Sequence, residues 1–182
     1  MAQSKWHIDL SHSGANFSVR HMLVSKVRGR FTKFTGVLNL DDEDITRSVV
    51  EATIDASSID TGTEQRDAHL RSADFFDVEK YPELRFRSTR IEKLDDARFR
   101  VVGELTIRDV TREVLLDVEG GGRAKDPWGN ERTGFVAKTT LDRKDFGLTW
   151  NQALEAGGVL VGDRVDVELD VQGVKAAAAQ AA

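Results

Sequence analysis

The chain is dominated by apolar residues that recur at every second position, and this pattern repeats from near residue 17 to residue 171. Phe17, Val19 and His21 share one face against Ser18, Arg20 and Met22. Thr32, Phe34, Gly36, Leu38 and Leu40 form the next stripe, and Val50, Ala52, Ile54 and Ala56 the one after it. Leu84, Phe86 and Ser88 follow, then Phe99, Val101, Gly103, Leu105 and Ile107, and then Val114, Leu116 and Val118. Thr133, Phe135, Ala137, Thr139 and Leu141, with Val165, Val167, Leu169 and Val171, close the series. A period of two places alternate side chains on opposite faces of a strand, so each run predicts a strand with one apolar face. About eight strands joined by short turns predict an antiparallel sheet. With one appreciable helix available to cover it, such a sheet hides its apolar face best by closing into a barrel, which also removes its edges.

The helix is expected near Glu64–Ala73, with Thr61 as its N-cap and Glu64 completing a capping box. It runs into Phe75 and Phe76 and ends before Pro82, so one side is charged and the other aromatic. That division suits a plug at the mouth of a barrel. A second short helix is expected near Trp150–Glu155. Gly120, Gly121 and Gly122, together with Asp126-Pro127 and Trp128-Gly129-Asn130, read as turn chemistry between two strands. Residues 1–174 form a single domain on this reading, and the alanine-rich 175–182 a fraying tail.

With 31% charged residues and a net charge of -5, the composition argues against a basic nucleic-acid footprint. The lack of cysteine excludes disulfides and thiol chemistry. No run of apolar residues is long enough to span a bilayer, and the first residues carry no signal-peptide pattern. A cytoplasmic location is therefore expected, or a periplasmic one if a leader was removed.

Signatures of catalysis are sparse. No Gly-x-Ser-x-Gly, His-Glu-x-x-His or phosphate-cradling loop is present. His7, His12, His21 and His69 match no compact metal-ligand spacing, so neither a metal site nor a cofactor is expected. Arg66, Asp67 and Arg71, with Arg143, Lys144 and Asp145, form a polar set with two readings: bridges from helix to barrel, or a guanidinium meeting a head group at the mouth. The inward faces mix large residues with small ones. An eight-stranded barrel of that kind is either filled by side chains or holds one small ligand.

These residues together resemble the YceI-like family of lipocalin-like polyisoprenoid-binding proteins. The resemblance is carried by Trp6-His7-Ile8-Asp9, Phe17-Ser18-Val19-Arg20-His21, Ser57-Ser58-Ile59-Asp60-Thr61-Gly62, Arg66-Asp67-Ala68-His69-Leu70-Arg71-Ser72, Asp74-Phe75-Phe76-Asp77, Tyr81-Pro82 and Arg143-Lys144-Asp145-Phe146-Gly147-Leu148. It implies an all-β, extended lipocalin-like antiparallel barrel with one short helix near the mouth. It also implies non-enzymatic binding, storage or transport of an isoprenoid quinone, a prenyl phosphate or another long amphiphile. Phe17, Val19, Phe34, Leu38, Ile54, Phe86, Val101, Leu105, Phe135 and Leu141 are the expected interior lining. Phe75, Phe76 and Trp150 are expected at the mouth, Arg66, His69 and Arg143 near the head group, and His21 as a hydrogen-bonded interior group among the ligand contacts. A lipid-modifying isomerase or hydrolase using a histidine as acid or base is the alternative on the same barrel. Transient membrane contact and a homodimer both remain open among partners.

Overall fold

The structure is a computed structural model and describes residues 3–22, 24–155 and 158–177. Its strands are β1 (Gln3–Ile8), β2 (Gly14–His21), β3 (Ser25–Phe31), β4 (Phe34–Asp41), β5 (Val49–Asp55), β6 (Ile59–Asp60), β7 (Glu83–Lys93), β8 (Arg98–Ile107), β9 (Val110–Lys125), β10 (Glu131–Asp142) and β11 (Val161–Lys175). One α-helix, α1 (Glu64–Arg71), lies between β6 and β7. All strand pairings are antiparallel, and a ring β1-β4-β5-β7-β8-β9-β10-β11 closes through β1 against β11. The result is a closed eight-stranded antiparallel barrel with one helix.

Eleven segments make eight staves because three long strands bend. β2, β3 and β6 continue β1, β4 and β5 toward one end of the barrel, with β2 on β11, β3 on β2, and β6 on β3. At two of the bends an aspartate draws the chain into a single 3-10 turn. Asp9 accepts from the Ser11 amide at 3.1 Å, and Asp55 from the Ser57 amide at 3.0 Å. The third bend, at Thr32-Lys33, is tied to the second, since the Lys33 amide donates to Ser58 Oγ at 3.1 Å. The short side chain of Asp or Ser competes locally for backbone donors, and this is what breaks the ladder.

β6 ends the sheet order and has no pairing with β7. α1 and the segment after it cover that gap. Leu70, Phe76 and Val78 pack on the buried cluster that contains Phe31, Ala56, Ile59 and Leu84. Phe76 meets Phe31 edge-on, with centroids 5.8 Å apart, and Arg71 Nε donates to Ser57 O at 3.0 Å. Arg71 is therefore a strut from helix to barrel.

Several local expectations are corrected. The N-cap of α1 is Thr63, whose side chain makes no capping bond, and the Thr61 hydroxyl expected to cap the helix donates to Asp67 instead. Gly120–Gly122 lie inside β9, and the turn to β10 comes after Lys125. Gly120 and Gly121 take φ of 132° and 99° beside a register shift at Thr133/Phe135, and a Cβ at Gly120 would collide with Gly134 O. The glycines thus allow a bulge. Residues 150–155 form no helix, and Ala153 instead makes a β-bridge to Val159. Lys175 stays in β11, and the Ala176 amide donates to Lys5 O at 2.7 Å. The rest of the expected tail from 178 onward lies outside the described residues.

Candidate functional site: the barrel interior

The alternating stripes turn their apolar members inward, but they do not fill the barrel. A cavity of about 550 Å³ remains, walled mainly by aliphatic and aromatic side chains from every stave. That volume falls within the range of about 300–1,000 Å³ typical of small-molecule pockets. Pairing explains the uniform wall, since residues opposite each other in an antiparallel pair project to the same face. Phe86 stands opposite Leu105 and Ala52. Phe135 stands opposite Val171, and Ala137 opposite Leu169 and Val118.

One end is sealed. Trp6 is fully buried and packs with Leu38 and Leu40. Its indole N–H donates to Ser4 Oγ at 2.8 Å. The Arg123 guanidinium lies 5.0 Å from the centroid of its ring, and Arg123 is ion-paired with Asp42. A cation over an indole face in this arrangement anchors the ring at this end of the barrel.

The other end is built differently. α1, the 72–82 segment and the stretch before β11 bring His69, Phe75 and Trp150 into one aromatic cluster. Centroid separations are 5.1 Å for His69–Phe75, 4.5 Å for His69–Trp150 and 5.5 Å for Phe75–Trp150. His69 Nε2 lies 2.8 Å from an Asp74 carboxylate oxygen. Beside this cluster the wall includes Arg20 and Gln65, both exposed at the surface. The cavity therefore opens at this end.

Of the residues expected to contact a ligand, Phe17, Val19, His21, Leu38, Ile54, Arg66, His69, Phe75, Phe76, Phe86, Val101, Leu105, Phe135, Leu141, Arg143 and Trp150 all border the cavity. Phe34 does not. It shares the inner face, but it is packed in the buried cluster with Ala56, Ile59 and Leu84. His12 stands outside the cavity wall, 2.8 Å from Asp9, which Arg132 also contacts at 2.8 Å. Among the described residues no group of His, Asp or Glu is arranged to hold a metal ion.

The two arginines at the open end differ in what they can still bind. Arg143 is almost fully buried and is committed to the backbone. Its Nε donates to Gly162 O at 2.8 Å, Nη1 to Leu148 O at 2.6 Å and Trp150 O at 2.9 Å, and Nη2 to Val161 O at 3.2 Å. Burial pushes its pKa down, opposed by the nearby Asp163 and Asp142. These bonds leave it little to offer a head group, so it acts as the clamp that shapes the chain between β10 and β11. Arg66 is half-buried and makes only two bonds of this kind, from Nε to Thr61 Oγ1 at 2.7 Å and from Nη2 to Thr61 O at 2.8 Å. Its Nη1 has no protein partner among the described residues.

Thr61 was not expected to take part in the site, yet it joins Arg66 to the buried Asp67, whose carboxylate accepts from both the Thr61 amide and hydroxyl. Val165, Val167, Leu169 and Val171 also border the cavity, and their alternation was the signal that could have placed them there.

Comparison with known proteins agrees with this geometry. The YceI-like domain matches residues 6–173. A UPF0312 protein of Staphylococcus epidermidis is 41% identical over 170 residues, covering 93% of this chain and 96% of that protein. The crystal structure of Burkholderia cenocepacia BcnA superposes with a TM-score of 0.80 at 22% identity, covering 91% of this chain and 98% of that one. A polyisoprenoid-binding domain from Saccharophagus degradans superposes with a TM-score of 0.65 at 15% identity, covering 97% and 99%. At these identities the two structures speak for the fold. With the family match spanning nearly its whole length and a relative this similar, the chain belongs to the YceI-like domain family.

Proposed function

We propose that this protein is a non-enzymatic binder of an isoprenoid-type or similar long-chain lipid, which it stores or carries with the apolar tail inside the barrel. The observation that carries the reading is the cavity itself: apolar-walled, sealed at Trp6 and open beside Arg66 and His69. The polyisoprenoid-binding domain of the same fold supports it. The polar head of the lipid rests at the open end, where Arg66 Nη1 meets a phosphate or quinone oxygen and His21 and His69 flank it. No cofactor is needed for this role.

The energetics suit a carrier. Burying a hydrocarbon tail gains about 0.8 kcal/mol per CH₂ relative to water. A bilayer offers the same tail an equally apolar home, so transfer between membrane and barrel is near balance and both loading and release are allowed. Of the histidines, His12 has no access to a bound lipid, because it stands outside the cavity.

The test is native mass spectrometry of gently purified protein, followed by solvent extraction and identification of what is released. A stoichiometric prenyl-type adduct that disappears on extraction is the expected result. A clean unliganded mass, under conditions that preserve other protein–lipid complexes, overturns the reading.

A further inference from the structure

The open end of the barrel carries an apolar and cationic tip that the fold itself does not use. The β2–β3 hairpin turns there, and Met22 and Val24 are 45% and 85% exposed on it. The stretch before β11 lies alongside, with the Met22 amide donating to Leu160 O at 2.8 Å, and its Val159 is 40% exposed. Arg20, His21 and Leu160 border the cavity, so these apolar side chains rim its opening. Arg20 is also paired directly across the hairpin with Lys26. Like charges placed opposite each other in a sheet are destabilising, and neither side chain forms an ion pair among the described residues. Asp166 lies within the field of Lys26, but it is already bonded by Arg164 at 3.0 Å and Thr140 at 3.2 Å. Lys144, on the neighbouring turn after β10, is paired with Asp163 at 3.2 Å.

We infer that this hairpin tip is a docking surface for an anionic lipid bilayer, with Met22, Val24 and Val159 entering the interface and Arg20 and Lys26 facing the head groups. Exposed apolar side chains next to unpaired cations are what binding to an anionic membrane surface requires. The protein as a whole is acidic, at -5, so the attraction must be local, and a docked tip orients the cavity mouth toward the membrane. The far end offers a rival in Trp128, 81% exposed on the turn between β9 and β10. That turn also carries Asp126 and lies at the end sealed by Trp6, where a lipid has no way in. The inference extends the carrier reading to the source of its cargo, but docking is measured independently of cargo.

The experiment is co-sedimentation of the full chain with phosphatidylcholine vesicles, with and without phosphatidylglycerol. The wild type, Val24→Asp, Lys26→Glu and Trp128→Ser proteins are compared, and thermal melts confirm that each is folded. The wild type is expected to sediment with the anionic vesicles, and less so as salt rises. Val24→Asp and Lys26→Glu are each expected to lower the bound fraction by about fivefold or more, given that each exposed apolar or basic contact contributes modestly to interfacial binding. Trp128→Ser is expected to leave binding unchanged. Equal binding by the hairpin variants, loss of binding on Trp128→Ser, or no wild-type binding to anionic vesicles each overturns the inference. Lipid extracted from the same preparations reports the cavity separately. Docking without cargo refutes the carrier reading alone, and cargo without docking refutes this inference alone.

Discussion

The imidazole of His69 meets the indole of Trp150 edge-on, with centroids 4.5 Å apart and planes at 88°. This contact joins α1 to the stretch that precedes β11 and closes the cavity on one side of its mouth. An aromatic pair of this geometry contributes about 0.5–1.5 kcal/mol beyond the area it buries. A contact of this strength at the rim of the mouth is expected to affect how fast cargo passes it.

Trp150→Ala should therefore speed the exchange of a fluorescent prenyl analogue between protein and vesicles by about two- to tenfold, the rate equivalent of one such pair. Stopped-flow transfer measures it. An unchanged rate in a variant that still binds the analogue would show that the cluster is wall rather than latch.

Leu105→Trp should block the tunnel. Leu105 stands opposite Phe86 on the inner face and borders the cavity, so an indole there occupies space the lipid needs. Because the added volume enters a void, the cost to folding should be small compared with the roughly 1–3 kcal/mol of overpacking a dense core. A folded variant that takes up lipid in wild-type amount would contradict the lining assignment.

Arg66 and Arg143 should separate cleanly. Arg66→Gln should weaken an anionic-head lipid by about tenfold, the lower end for a charge-assisted hydrogen bond, while sparing a neutral-head analogue and lowering the melting temperature less than Arg143→Met does. Arg143→Met strips donors from the carbonyls of Leu148, Trp150, Val161 and Gly162. It should cost at least about 3 kcal/mol of stability, since Val161 O keeps a bond from Asn151 while the other three carbonyls lose theirs, at about 1–3 kcal/mol for each unpaired buried polar group. Calorimetry and equilibrium lipid binding on both variants decide this, and the reverse pattern would exchange their roles.

Acid stability should report the Asp9–Arg132–Asp126 cluster. The Arg132 guanidinium, hydrogen-bonded to both carboxylates, holds Asp126 from its usual 3.8 down to about 2 and lowers Asp9 as well. A carboxylate whose pKa is lowered in the folded state adds stability that is fully present above the unfolded value and is lost as pH falls through the folded one. Thermal melts of wild type and Arg132→Gln should differ by a constant amount from neutral pH down to about 4, and then converge as pH falls toward 2. A gap that stays constant through that window would remove the cluster from the acid response.

Much of this molecule could be read before folding. The stripes from Phe17 to Val171 were enough to predict the barrel and about half of the residues that border its cavity, because a period of two fixes which side chains share a face whatever the partner strand. The 3-10 turns were legible too, in a signal that strand periodicity hides. Asp9, Asp44, Asp55 and Asp142 each accept from the amide two residues on, an Asx pattern written in the sequence.

What the sequence alone determined, then, is the set of inward faces and the two bends at Asp9 and Asp55, since these depend on local geometry. Only the tertiary structure decided the rest. It turned Thr61 away from capping α1 and onto Asp67, because the bend at β6 brings that hydroxyl within reach of the carboxylate. It left Arg143 at the cavity wall but committed its donors to the carbonyls of the segment leading into β11. It packed Phe34 into the buried cluster while leaving Leu38 and Leu40 of the same stripe at the cavity wall. Whether a barrel is filled or hollow depends on how side chains from eight staves meet across its axis. That is a sum over residues far apart in the chain, and no run of the sequence contains it.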